Sequence, residues 1–158
     1  MPDIDFSAYD LGSPLERGAL LLKIPPDREI VRKYHPELLD LFRREMAYRR
    51  GDSAQNEDES ECFEQLYWCA LLLYLIGSPA DAALMWEGKQ INMDTACGFD
   101  VQFLVGAGVD ETTQYLETHG QKEPAEYLKS MKDHGEFDNL SQWEQFRVHY
   151  FYPTNPLP

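Results

Sequence analysis

Residues 61–76 carry the most apolar stretch of the chain, ECFEQLYWCALLLYLI. Its apolar side chains cover more of a helix circumference than the single stripe of a surface helix, which indicates burial on most sides. The uninterrupted apolar run from Ala70 to Ile76 is far shorter than the roughly 18 residues that a membrane-spanning helix needs. We therefore predict that this segment is the central helix of the fold and that Gly77 ends it.

Two helix-start signals precede the central helix. Ser13 stands before Pro14, which combines an N-cap residue with proline at the first helical position. Asp27 is an N-cap residue for a second helical stretch that runs to about Arg50. Because Pro36 lies inside that stretch, we predict a kink or a new helix start beside it.

Further helices are predicted after the central one. Ser78 and Pro79 repeat the N-cap and first-position pattern, and the helix that they begin runs towards Ile91. Residues 92–100 have the composition of a break, in which Asp94 and Asp100 are capping residues for the turns that follow. The remaining predicted helices cover residues 100–105, 110–119, 123–134 and a last segment of about ten residues capped by Ser141.

The fold class follows from these segments together. No segment alternates apolar and polar residues in the manner of a strand, so we predict an all-α fold of about six to eight helices. An irregular helical-repeat, solenoid-like stack and a helical bundle both fit this pattern. We expect a single helical domain over residues 1–158, with an acidic loop at about 51–60 and a Pro-rich C-terminal tail at 151–158. Three aromatic residues of this tail, 150–152, are predicted to fold back onto the helices, and a partner-binding role is the alternative.

The net charge of -14 is distributed unevenly. Residues 1–51 contain nine Lys or Arg and nine Asp or Glu, whereas residues 52–158 contain five and nineteen. Such an excess repels phosphate backbones and anionic lipid and attracts cationic partners, so we expect a protein partner and neither direct nucleic-acid nor membrane binding. An acidic surface that only keeps the protein in solution is the alternative.

The cysteines and histidines show no catalytic or metal-binding motif. Cys62, Cys69 and Cys97 have no CxxC spacing, so we predict no disulfide, no zinc site, no cofactor and a reducing cytoplasmic location. Cys62 and Cys69 are expected in the core. An enzyme that uses Cys97 as nucleophile, with His119 or His134 as base, is a minor alternative, and we expect no catalytic residues.

The acidic residues of the second part of the chain are the predicted contact residues for a protein partner. Glu87, Asp94 and Asp100 flank the predicted break and could form one rim of a groove, although capping is the favoured role of Asp94 and Asp100. The predicted partner-binding residues are Asp52, Glu57, Asp58, Glu59, Glu61, Trp86, Glu87, Asp94, Asp100, Asp110 and Glu111.

One region resembles known proteins. It comprises LMWEGK at residues 84–89 and DTACGFDVQFLVGAG at residues 94–108, with Thr112, Tyr115 and Leu116 beyond them. These residues resemble small bacterial proteins of uncharacterised helical families, some of which are immunity proteins of polymorphic or contact-dependent toxin systems. The resemblance implies a cytoplasmic protein that neutralises a toxin by tight binding and performs no chemistry, and it transfers no interface residues.

Three functions are compatible with these features of the sequence. The favoured one is an immunity or inhibitor protein, whose negative charge suits a cationic toxin such as a nuclease with a phosphate-attracting cleft. The second is a helical-repeat adaptor or scaffold for protein–protein interaction, for which a concave groove is expected. The third is the small enzyme with Cys97.

Overall fold

The computed structural model describes residues 3–51 and 62–153. These residues form helices and contain no strand, so the all-α prediction is confirmed. The described residues contain nine α-helices, which are α1 (Pro14–Leu21), α2 (Arg28–Lys33), α3 (His35–Arg50), α4 (Gln65–Ile76), α5 (Ala82–Lys89), α6 (Met93–Gly98), α7 (Val109–Thr118), α8 (Lys122–Asp133) and α9 (Leu140–Phe151). Short 3-10 helices lie at Phe6–Ala8, Pro79–Asp81 and Val101–Val105.

Helix α4 is the centre of the fold. Every residue of α4 except Trp68 is buried, as its composition predicts. It packs against α1, α2, α3, α9 and the 3-10 helix Val101–Val105, and so contacts elements from both ends of the chain. A stack of repeats restricts each unit to its neighbours, so these contacts identify a bundle around α4 rather than a solenoid. None of the described helices has the length and apolar character needed to cross a bilayer.

Close backbone contact and a left-handed glycine fix the end of α4. Gly77 has a φ of 74°, a conformation that glycine adopts without strain, and it ends the helix as predicted. Gly106 follows the 3-10 helix and lies against the Tyr74 carbonyl so closely that a Cβ atom would not fit. The turn at Gly106 therefore holds the 3-10 helix directly against α4.

The predicted helix starts before α4 are confirmed. The Ser13 hydroxyl accepts a hydrogen bond from the Glu16 N–H, and Asp27 caps α2 in the same way. Pro36 occupies the first turn of α3, where its missing N–H needs no partner. The stretch after Asp27 is accordingly divided into α2 and α3.

Several predictions after α4 are wrong. The Ser78 side chain makes no capping hydrogen bond, and a 3-10 helix at Pro79–Asp81 precedes α5. Residues 92–100 contain helix α6 instead of a break, because Asn92 caps it with a reciprocal pair of hydrogen bonds to Thr95. Helix α9 begins at Leu140, so Ser141 lies inside its first turn and is not its cap. Two predicted segments lie mostly outside the described residues, namely the acidic loop at 51–60 and the last five residues of the tail. Of the three aromatic residues predicted to fold back, Phe151 and Tyr152 are buried, whereas Tyr150 is 47% exposed.

Candidate functional site

The predicted partner-binding residues fall into three groups. The first group lies outside the described residues and comprises Asp52, Glu57, Asp58, Glu59 and Glu61. The second group is exposed and comprises Glu87 on α5, Asp94 in the first turn of α6 and Glu111 in the first turn of α7. The third group consists of residues that already have partners within the fold, and comprises Trp86, Asp100 and Asp110.

The exposed group presents unpaired negative charge. The carboxylates of Glu87, Asp94 and Glu111 make no ion pair with any residue in 3–51 or 62–153. Asp94 and Glu111 lie near helix N-termini, where the backbone dipole favours a negative side chain. These three carboxylates are therefore free to attract a cation from solution.

The third group is held by internal contacts. One Asp100 carboxylate oxygen, Oδ2, accepts hydrogen bonds from Trp143 Nε1 at 2.8 Å and from Arg147 Nε at 2.7 Å. Asp110 pairs with Lys132 at 2.7 Å on the surface. The prediction that Asp94 and Asp100 cap helices is therefore wrong. Asn92 is the side-chain cap of α6. The Asp100 carboxylate makes no capping bond and contacts α9 instead.

Trp86 belongs to the interior. Only 9% of its surface is exposed, and its ring lies 4.9 Å from that of Tyr127. This contact joins α5 to α8. Burial raises the pKa of Tyr127, and the negative charge of Glu136 adds to the rise. Trp86 is therefore part of the core, and its ring is not available to a partner.

A shallow depression of about 330 Å³ connects α6, α8 and α9 around Asp100. It gathers residues that are distant in the sequence, including Tyr127, Glu136 and Trp143. The lining residues are Lys89, Ala96, Cys97, Phe99, Asp100, Val101, Gln102, Tyr127, Met131, Glu136 and Trp143. The members from α8 and α9 were not predicted, because no local pattern links them to Asp100.

The one lysine in this lining is used for structure. Lys89 Nζ donates hydrogen bonds to the carbonyls of Ala96 and Phe99, each at 2.6 Å, and so closes the C-terminal end of α6. Burial lowers the pKa of Lys89, and the nearby charge of Asp100 partly offsets the effect. Its ammonium group is therefore held by backbone oxygens and does not neutralise the carboxylates at the surface.

Cys97 is exposed at the rim of the depression. The residues that line the depression include no histidine. The two histidines considered as bases bond to carbonyls of their own helices instead. His119 Nδ1 lies 2.8 Å from the Tyr115 oxygen, and His134 Nδ1 lies 2.6 Å from the Ser130 oxygen. Cys62 and Cys69 are buried, as predicted.

The cations of residues 62–153 are almost all engaged within the fold. Lys89 binds backbone carbonyls, Lys129 pairs with Glu117, Lys132 pairs with Asp110 and Arg147 pairs with Asp100. Lys122 is the remaining Lys or Arg of this described range. Exposed carboxylates without an ion pair in the same range are far more numerous, and we call them the acidic surface: Glu64, Glu87, Asp94, Glu111, Glu123, Glu126, Asp133, Glu136 and Asp138.

No protein-family model, curated protein or solved structure matches the chain. The resemblance of residues 84–108 to immunity proteins therefore stays a prediction.

Proposed function

We propose that this protein binds a cationic protein and neutralises it, as an immunity protein inhibits a toxin. The observation that carries the proposal is the acidic surface, whose carboxylates lack internal cations. An ordinary solvated surface mixes both signs of charge, whereas four of the five Lys and Arg side chains in residues 62–153 are already engaged within the fold. The excess charge therefore remains available to an incoming partner.

The proposed mechanism is electrostatic competition. A nuclease-type toxin has a cationic cleft that attracts phosphate, and carboxylates on a helical scaffold can enter the same cleft. Long-range attraction accelerates the encounter, and the accelerated association weakens as salt screens the charges. The inhibitor needs no catalytic group for this role, because occupying the cleft is sufficient.

Copurification and binding kinetics test the proposal. Tagged protein is recovered from extracts of the source organism at low and at high salt, and the copurifying proteins are identified by mass spectrometry. We expect one dominant basic partner, lost as the salt concentration rises. The association rate of this partner is then measured with the variant Glu87→Lys/Asp94→Lys/Glu111→Lys, and we expect it to fall roughly tenfold or more at low salt.

A matched variant controls for total charge. Glu16→Lys/Glu29→Lys/Glu37→Lys makes the same change in net charge at three exposed first-turn positions of α1, α2 and α3. We expect it to slow association much less, because these residues lie outside the acidic surface. Equal rates for the two triple variants, or a partner that binds equally well in high salt, would contradict the proposed mechanism.

A further inference from the structure

The nitrogen donors that line the depression around Asp100 are already used within the fold. Lys89 Nζ donates to two backbone carbonyls, and Trp143 Nε1 donates to Asp100 Oδ2. Gln102 Nε2 donates to the Glu136 carbonyl at 2.9 Å. These three groups are the side-chain nitrogens of the lining, so a ligand that needs hydrogen-bond donors finds few there.

The oxygen acceptors of the same lining are open. Asp100 Oδ2 accepts bonds from Trp143 and Arg147, whereas Oδ1 accepts none from the described residues. Gln102 Oε1 and the Glu136 carboxylate likewise accept no hydrogen bond in the described part of the chain. The Asp100 side chain is 25% exposed, and its bonds to α9 fix its orientation. The depression therefore suits a ligand that donates hydrogen bonds.

Two aromatic residues line the depression together with these acceptors. They are Tyr127 from α8 and Trp143 from α9. The Tyr127 ring packs on Trp86 with centroids 4.9 Å apart, and the Trp143 ring packs on Phe103 at 5.0 Å. Side chains that are ordered before binding lose little conformational entropy in a complex. Aromatic rings attract cations, and a planar guanidinium group also stacks on them.

Both cations beside the depression are engaged, whereas one of its carboxylates is not. Lys89 is only 6% exposed and is held by backbone carbonyls, and Arg147 is paired with Asp100 and does not belong to the lining. Glu136 is exposed and makes no ion pair with the described residues. Burial raises the pKa of Tyr127 and the Glu136 charge adds to the rise, so this charge acts within the depression.

We propose that the depression receives an arginine side chain of the cationic partner as an anchor of the complex. A guanidinium group carries several N–H donors in one plane, so it can bond to the open oxygens while it contacts the aromatic rings. An ammonium group is a compact charge without such a plane. Buried arginines are also among the residues that dominate interface energies. The protein partner rests on the proposed function, whereas the guanidinium site itself does not.

Titration of the isotope-labelled full chain, followed by nuclear magnetic resonance, tests the site with defined probes. The probe is N-acetylarginine methylamide, and the comparison probes are the corresponding citrulline and lysine derivatives. Citrulline has nearly the shape of arginine but no charge. We expect the arginine derivative to shift the Trp143 indole N–H and Gln102 amide signals to saturation. The citrulline derivative should bind about tenfold more weakly or worse, because it makes no charge-assisted hydrogen bonds.

A matched pair of variants separates the site from the general negative charge. Glu136→Gln and Asp138→Asn each remove one exposed carboxylate charge with little change in shape, but only Glu136 lines the depression. We expect Glu136→Gln to weaken binding of the arginine derivative about fivefold or more. Asp138→Asn should leave the affinity nearly unchanged.

Blocking the depression without a change in charge provides a second test. Cys97 is exposed at the rim, whereas Cys62 and Cys69 are buried, so N-ethylmaleimide should modify Cys97 selectively. We expect the modified protein to lose binding of the arginine derivative. Cys97→Ser treated with the same reagent should bind as the untreated wild type does.

Each of several results would overturn the proposal. Equal binding of the citrulline derivative, equal effects of Glu136→Gln and Asp138→Asn, or unchanged affinity after modification of Cys97 would rule out the guanidinium site. Equal binding of the lysine derivative would overturn the choice of arginine.

The outcome is distinguishable from that of the proposed function. Absence of a salt-sensitive basic partner would contradict the proposed function and leave the probe titration unaffected. A partner that binds Glu136→Gln as tightly as wild type would contradict the anchor alone.

Discussion

At the scale of single residues, one ion pair among residues 3–51 and 62–153 is almost completely removed from water. Arg17 Nε on α1 lies 2.5 Å from Glu45 Oε1 on α3, and the two side chains are 4% and 1% exposed. Gln65 of α4 donates to the same carboxylate oxygen at 3.1 Å, and Arg17 also donates to the Leu11 carbonyl at 3.0 Å. The pair thus joins three helices. Burial raises the pKa of Glu45, and Arg17 limits the rise.

Removing one member of this pair should be much worse than removing both. Arg17→Met is expected to lower the free energy of unfolding by about 3–5 kcal/mol, because it leaves a buried carboxylate without its cation. Arg17→Met/Glu45→Met should recover most of the loss. Urea denaturation followed by circular dichroism measures both variants, and equal losses would show that the pair itself, rather than the unpaired charge, accounts for the stability.

The pH dependence of the single variant has a definite sign. Without Arg17 the folded-state pKa of Glu45 rises further above its ordinary value of 4.5, so the folded state binds a proton that the unfolded state releases. The loss of unfolding free energy caused by Arg17→Met is therefore smallest below the ordinary pKa of 4.5 and grows as the pH rises towards neutrality. Arg44→Met, which breaks the exposed pair of Arg44 with Asp40, is the control and should cost less than about 1 kcal/mol at any of these pH values.

At the scale of elements, the helix α6 depends on its cap. Asn92 Oδ1 accepts a hydrogen bond from the Thr95 N–H at 2.9 Å, and Thr95 Oγ1 accepts one from the Asn92 N–H at 3.0 Å. Asn92→Ala should therefore cost about 1 kcal/mol in the free energy of unfolding. Ser141→Ala and Asp94→Ala should each cost no more than about 0.5 kcal/mol in the same urea titration, since neither side chain caps a helix. A larger loss for Asp94→Ala than for Asn92→Ala would contradict the capping arrangement.

Comparison of α6 with the earlier helices shows which local structures can be predicted from sequence. Ser13 and Asp27 cap their helices through neighbours two or three residues ahead, so a local pattern is sufficient to predict them. The Asn92–Thr95 cap of α6 is equally local, but three of the four residues 95–98 are poor helix formers, and α6 is held in addition by burial of Thr95 and by the bonds from Lys89. Such contacts with the rest of the fold have no signature within a short window.

The contacts of the candidate site are even harder to predict from local sequence than the start of α6. The charge excess could be counted in the sequence, and the exposure of Glu87 follows from its position in a helix. The partners of Asp100 could not be found in this way, because Trp143 and Arg147 lie 43 and 47 residues further along the chain.

At the scale of the whole molecule, charge and stability should be coupled. The first 51 residues balance nine basic against nine acidic side chains, while the remainder has five against nineteen. Repulsion among the carboxylates of the acidic surface destabilises the compact state, and salt screens it. From about 0.1 M to about 1 M NaCl the Debye length falls from about 10 Å to about 3 Å. We expect the wild-type free energy of unfolding to rise by about 1 kcal/mol, which corresponds to roughly 2–4 °C in Tm.

The two triple lysine variants determine where this repulsion arises. Glu87→Lys/Asp94→Lys/Glu111→Lys relieves the acidic surface, so its Tm should change little between the two salt concentrations. Glu16→Lys/Glu29→Lys/Glu37→Lys alters a segment without excess charge, and its Tm should keep most of the wild-type increase. Differential scanning calorimetry measures all three proteins. Similar salt slopes in both variants would mean that total charge governs stability, and the acidic surface would then lose its physical distinction from the rest of the molecule.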